Sequence, residues 1–195
     1  MTAAPGARRP PHPTAALILR AAEGVFPKLG YSQTTMADLA AAAGVTRPTV
    51  YAYFASKADV FRAVAESVRD DILAVQEQAS GETPAETARL GVVGYLDAYV
   101  RHLGVLTVLS HQALSDPAMG RLRDEIHDRA NRRHTRFIER LAAAGQARPV
   151  VPAPVLSEAV TGVVMRLAEQ IAARPDRRGE LAGHLAALHR TLLGL

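Results

Sequence analysis

Residues 34–57 read TTMADLAAAAGVTRPTVYAYFASK, and their reactive groups are hydroxyls, one guanidinium, two phenols and an ammonium. That set suits recognition of a polyanion. Arg47 is a planar donor that matches guanine O6 and N7. Thr46 and Thr49 can donate to phosphate oxygens, and Thr49 can also set a methyl against thymine. Tyr51 and Tyr53 stand two residues apart, so their hydroxyls leave a helix on different faces and suit one backbone contact on each side. Lys57 lies just past that helix, placed for a phosphate, and the helix-start amides of Thr35 and Met36 offer a second anion site. The same residues admit a plainer account, with Tyr51 and Tyr53 as core aromatics and Arg47 as a solvated charge.

Two helices joined at a glycine must position this set. Leu39, Ala40 and Val45 face inward, while Ala42 and Ala43 are small where the two helix ends approach. Gly44 can adopt a positive φ without steric cost, so the chain reverses there. This is the helix-turn-helix pattern, in which the first turn of the second helix, here Thr46, Arg47, Pro48 and Thr49, meets base edges in the major groove.

Helical signals dominate the rest of the chain, and no segment shows sustained period-2 alternation. The first twelve residues, with three prolines and Arg8–Arg9, read as a mobile basic arm. A first helix is predicted from about Pro13 to Lys28, with Pro27 distorting its last turn and Gly30 ending it. Thr35 with Asp38, Thr46, and Ser56 with Asp59 give start signals for three more helices, the last running from residue 57 to 78. Thr83-Pro84-Ala85-Glu86 opens a helix that should end at Gly104, with a short one over residues 105–113. Asp116-Pro117 opens a long helix to about Ala144, and two more cover about 155–173 and 178–193. The expectation is an all-α protein of about nine helices. Residues 1–12 form the arm, 13–57 a helix-turn-helix domain, and 79–195 a second helical domain, with helix 57–78 connecting the two.

Composition limits the alternatives. The 195 residues are 48% hydrophobic and 22% charged, as in ordinary globular chains. The absence of cysteine removes disulfides, thiolate metal sites and Cys nucleophiles, and it fits a reducing, cytoplasmic setting. The longest apolar stretch near the N-terminus, Ala15 to Leu19, is far too short to cross a bilayer, so no membrane partner is expected. Residues 1–60 hold six basic and three acidic side chains, most of the net +4 of the chain. An anionic partner at the N-terminal end is the simple inference.

Phe26, Gly30-Tyr31, Thr35, Asp38-Leu39-Ala40, Ala43-Gly44-Val45-Thr46, Val50-Tyr51-Ala52-Tyr53-Phe54, Ser56-Lys57 and Val60 resemble the N-terminal signature of tetracycline-repressor-like (TetR) transcriptional regulators. The likeness covers about residues 15–64. It implies a homodimeric, ligand-responsive repressor with a three-helix DNA-binding head, double-stranded operator DNA and a small-molecule effector as partners, and an all-helical effector domain. It further implies DNA contacts from Thr35, Arg47, Thr49, Tyr51, Tyr53 and Lys57, with Phe54 packing instead. Three positions depart from the pattern: Pro48 where a small residue is frequent, Ala15 and Ala16 where a basic residue is common, and Pro27.

In the second domain, Tyr95, Tyr99, His102, His111, Phe137, Met165 and Arg166 set polar tips within apolar helices, as a small-molecule cavity would. Gly91 and Gly94 suggest room for a ligand or a neighbouring helix. Val160, Val163, Leu167, Leu181, Leu185, Leu188 and Leu192 form stripes on the last two helices that suit a two-fold four-helix interface, with Gly162 permitting close approach. His127 and His134, and His184 and His189, lack the i, i+4 spacing that grips zinc and read as lone surface histidines. Arg133, Arg136 and Arg140 read as part of a solvated, ion-paired face. No metal, cofactor or catalytic constellation is expected. A transcriptional activator with the same head, and a helical small-molecule-binding protein or enzyme that reads no DNA, remain as alternatives.

Overall fold

Side-chain caps decide where most of these helices begin. The computed structural model describes residues 12–195, apart from the side chains of Gln76 and Glu77, so the expected arm lies outside the described residues except for His12. His12 accepts from the Thr14 amide at the start of α1 (Pro13–Leu29). Thr35 and Asp38 form a reciprocal capping box on α2 (Met36–Ala43). Thr46 accepts from the Thr49 amide to open α3 (Arg47–Tyr53), and Ser56 does the same from Asp59 for α4 (Lys57–Gln78). Thr83 caps α5 (Pro84–Gln112) and Asp116 caps α6 (Pro117–Ala143). The chain closes with α7 (Ala153–Ala173), a 3-10 turn at Pro175–Arg177, and α8 (Arg178–Leu193). No strand occurs among the described residues.

Two boundaries differ from expectation. The helix predicted to stop at Gly104 continues to Gln112, so the separate short helix over residues 105–113 does not exist and the α-helices number eight. Val105, Leu106 and Leu109 extend the buried stripe of Val92, Leu96 and Tyr99, and that burial outweighs the roughly 1 kcal/mol propensity cost of one glycine. α1 likewise runs on through Pro27 to Leu29, where the Gly30 amide donates to the Phe26 carbonyl.

The chain divides into two compact units, one ending at Val64 and the other spanning Ala65–Leu195. In the first, α1, α2 and α3 pack on one another around fully buried Ile18, Ala22, Phe26, Leu39, Val50 and Phe61. Phe26 and Phe61 meet edge to face with ring centroids 4.9 Å apart, and Tyr31 completes an aromatic trio. In the second, α5 lies against α6, α7 and α8. Its length and composition would allow it to cross a membrane, but half of its most apolar window is buried within the bundle. Gly94 on α5 faces Val75 of α4 so closely that a Cβ would stand 2.7 Å from Val75 Cγ1, so this glycine serves a neighbouring helix.

Between α2 and α3 the turn is closed by backbone alone. Gly44 sits at φ 65° and ψ 29°, its amide donating to the Ala41 carbonyl while the Val45 amide donates to that of Ala40. This paired arrangement satisfies the last carbonyls of α2 and requires the left-handed conformation. Open space surrounds the position of a Gly44 Cβ, so Gly44→Ala isolates the conformational term, about 1–2 kcal/mol of lost stability. Gly24→Ala, inside α1 and equally open, should instead gain up to about 1 kcal/mol. Urea unfolding of the two variants checks the opposite signs.

Candidate nucleic-acid interface and helical cavity

The start of α3 is presented outward by the packing beneath it. Val50, one turn in, is fully buried against the first unit's core, which leaves Thr46, Arg47 and Pro48 exposed and Thr49 half-buried. Tyr51 and Tyr53 are 45% and 38% exposed, unusually open for phenols in a folded domain, so the core-aromatic alternative does not hold for either. The Thr46 and Thr49 hydroxyls stand 2.8 Å apart across the cap. The Arg47 guanidinium lies 5.6 Å from the centre of the Tyr51 ring and makes a long 3.4 Å bond to its hydroxyl, which preorders the fork without burying it. On the other side, the Tyr53 hydroxyl meets His12 Nδ1 at 2.9 Å, their rings 5.2 Å apart, so the two phenols do leave the helix in different directions.

Two expected phosphate ligands are engaged within the protein itself. The Thr35 amide donates to Asp38 Oδ2 at 2.9 Å, so it is not available as an anion donor, a correction that follows from the capping box. Those bonds hold the Asp38 carboxyl below the usual carboxylate range, the Thr35 hydroxyl contributing most. Lys57 Nζ donates to the Tyr31 and Ser32 carbonyls at 2.7 and 3.1 Å and lies over the Tyr31 ring. The ammonium therefore ties the loop after α1 to the start of α4, and only part of its donor capacity faces outward.

The second unit encloses a cavity of about 270 Å³ among α5, α6, α7 and α8. Its polar lining is Thr87, Tyr95, Arg133, His134, Arg140 and His189, and its apolar lining includes Ala88, Gly91, Val92, Phe137 and Val160. Of the residues expected at a pocket, the structure brings Tyr95 and Phe137 here. Tyr99 is buried beside Tyr95, ring edge to face, and His102 is buried 3.3 Å from Asp71 Oδ2; neither reaches this cavity. His111 is exposed, Met165 is half-buried and off the lining, and Arg166 is on the surface paired with Glu169, because α5 and α7 turn those positions away from the cavity. Of the interface stripe, Val160, Leu181 and Leu185 are buried inside this one chain, which leaves Val163, Leu167, Leu188 and Leu192 partly open.

The reading of His134 and His189 as lone surface histidines is overturned. Their Nε2 atoms lie 2.9 Å apart, His189 is only 2% exposed, and His134 Nδ1 lies 3.2 Å from the Ser157 hydroxyl, which donates in turn to the Asn131 carbonyl. Burial and the neighbouring ring push His134 down to about 3, and burial pushes His189 down to about 4. Both rings are neutral at physiological pH. Burial raises the Tyr95 phenol to about 12, so it stays protonated. Residues 55 apart gave no local spacing to reveal the pair. The signal that was available is the run Arg133, Phe137 and Arg140 at steps of four and three, one face of α6.

With this geometry in place, the comparisons can be weighed. Residues 18–64 match the family described as Bacterial regulatory proteins, tetR family. The chain is 28% identical over 176 residues to the HTH-type transcriptional regulator TtgR of Pseudomonas putida, covering 89% of this chain and 71% of that protein. It is 29% identical over 101 residues to the HTH-type transcriptional repressor BepR of Brucella suis, covering 49% and 48%. Among solved structures, GusR of Salmonella enterica aligns with a TM-score of 0.78 at 16% identity, covering 96% of this chain and 99% of that one, which bears on the fold. Fold, exposed α3 and relatives together define a helix-turn-helix DNA-binding transcriptional regulator rather than an enzyme. The chain belongs to the tetR family of bacterial regulatory proteins.

Two outcomes test this geometry. Because the folded His134 and His189 pKa values lie below the ordinary 6.5, the unfolded chain binds protons first. Stability is full above pH 6.5 and should fall as pH drops from 6.5 towards 5, by up to about 1.4 kcal/mol per pH unit for each ring. Denaturation across that range, with His134→Gln flattening the slope, checks the assignment. Lys57→Met should cost about 1 kcal/mol of stability, read by urea unfolding, through the two lost carbonyl bonds.

Proposed function

We propose that the chain is a homodimeric, cytoplasmic repressor that leaves a palindromic operator when a small molecule occupies its second helical domain. Residues 13–57 read DNA, helix 57–78 connects, and residues 79–195 hold the effector and the dimer contact. Two α3 helices enter successive major grooves about 34–36 Å apart, as two-fold helix-turn-helix proteins do. Arg47 supplies base readout, Thr46, Pro48 and Thr49 fit the groove edge, Tyr51 and Tyr53 reach the flanking backbone, and Thr35 and Lys57 border the phosphates. The observation that carries this reading is the exposed, capped first turn of α3 with the Arg47 fork already ordered on Tyr51.

Dimerisation is supported by the parts of α7 and α8 left uncovered: Ala159, Gly162, Val163, Leu167, Leu188 and Leu192 keep apolar surface that the chain's own core does not use. A ligand that binds one state of the dimer more tightly shifts the population by that difference, which is all that release from DNA requires.

Selection of bound duplexes from a random DNA library tests the whole reading, with a palindrome expected and no enriched sequence as the contrary result. On the enriched duplex, Arg47→Ala should cost about 1–3 kcal/mol in competition binding and relax base preference at one position per half-site. Leu188→Glu should convert the dimer to monomer in analytical ultracentrifugation while the helical content stays unchanged.

A further inference from the structure

We infer that the cavity of the second unit takes a small amphipathic anion, an apolar and preferably aromatic body carrying one carboxylate or comparable acid group. The inference rests on the reading of this cavity as the effector site and specifies what enters it. Three features of the lining carry it.

First, charge is one-sided. Arg133 and Arg140 line the cavity, and among the described lining residues no Asp or Glu faces them. The arginines also line an adjoining recess with Arg129, Arg132, Arg136 and Leu73, so the way in is cationic. Along α6 the other arginines are matched locally: Arg129 by Glu125 at 2.7 Å, Arg132 by Asp128 at 3.4 Å and Arg123 by Asp124 at 2.8 Å. Arg140 makes no ion pair among the described residues, is exposed, and sits where cavity and recess meet. A guanidinium presents a planar fork that binds a carboxylate through two parallel bonds.

Second, the inner polar groups are neutral hydrogen-bonding groups. Tyr95 keeps its phenolic proton, and the His134–His189 pair is committed to itself and to Ser157. A ligand cation would find no countercharge on the described lining and would face two guanidinium groups. A carboxylate end would be met at the arginines, and a single hydroxyl or carbonyl further in would be met at Tyr95 or Thr87.

Third, the walls are apolar and include Phe137, Val92, Ala88 and Val160, and a volume of about 270 Å³ lies near the lower end of ordinary ligand sites. That combination fits one or two fused rings better than a long chain. Gly91 opens the floor: a Cβ there would meet only Ala79 Cβ, at an ordinary 3.6 Å, so a larger side chain can be introduced without a backbone clash.

The test uses the full-length protein and matched probes, namely benzoate, 2-naphthoate and indole-3-acetate, each beside its primary amide and its amine analogue. Isothermal titration should give at least one carboxylate that binds tenfold or more tightly than its amide, with the amine weakest. Arg140→Gln should erase that tenfold difference while leaving the melting temperature within a degree or two. Gly91→Leu should abolish binding of carboxylate and amide alike. Equal or tighter binding of the amide or amine, binding of no carboxylate in the series, or an unchanged preference in Arg140→Gln would overturn the inference. A carboxylate that binds with the expected preference but leaves retention on the library-selected duplex unchanged would count against the effector reading of the cavity and leave the anion preference standing.

Discussion

Gly44 holds a left-handed backbone conformation, and the two amide bonds it sets up, Gly44 to Ala41 and Val45 to Ala40, end α2 in a single tight turn. Everything presented by α3 follows from that reversal. Thr46 can cap the next helix only because the chain emerges extended, at φ −81° and ψ 154°, straight after the turn. Val50 can then reach the core shared with Leu39 and Phe26, and its burial fixes which face of α3 looks outward. A seven-residue helix is far too short to be stable alone, so its orientation is set by this turn and by Val50 rather than by its own hydrogen bonds. The exposure of Arg47, Tyr51 and Tyr53 is thus a consequence of a glycine and a valine that touch no ligand.

The two units spend their polar residues differently. In the first, polar groups serve caps and ties: Asp38 closes the capping box, and Lys57 fastens the loop at Tyr31 and Ser32 beneath the aromatic trio. That leaves a rigid surface whose outward groups are already ordered, which lowers the entropy lost when a nucleic acid is bound. In the second, polar groups are drawn inward. Asn131, Ser157, Thr161, His134 and His189 form a partly buried network beside a cavity, an arrangement that costs desolvation and is tolerated where a site needs it.

How much of this could be read beforehand follows the range of the interactions. Caps are local, and Thr35 with Asp38, Thr46, Ser56 with Asp59, Thr83 and Asp116 each marked a helix start that the structure contains. The helix-turn-helix was legible for the same reason, since Gly44 and its neighbours act within twelve residues. Gly104 misled because local propensity was outweighed by packing of Val105, Leu106 and Leu109 against distant helices. The cavity was the least legible part. His134 meets His189 across 55 residues, and Arg166 and His111 differ from Tyr95 in nothing but the direction their helices happen to face. Likewise Val160, Leu181 and Leu185 share a periodicity with Val163, Leu188 and Leu192, and only the three-dimensional packing separates those inside the chain from those left partly open.

The central claim is that the outward face of α3 meets DNA. Hydroxyl-radical footprinting of the full-length protein, with and without a bound duplex, reads that face directly through the two open phenols. The account predicts that Tyr51 and Tyr53 lose most of their reactivity on DNA binding, while buried Tyr95 and Tyr99 change little. Unchanged labelling at Tyr51 and Tyr53 in a complex that demonstrably holds DNA would contradict it.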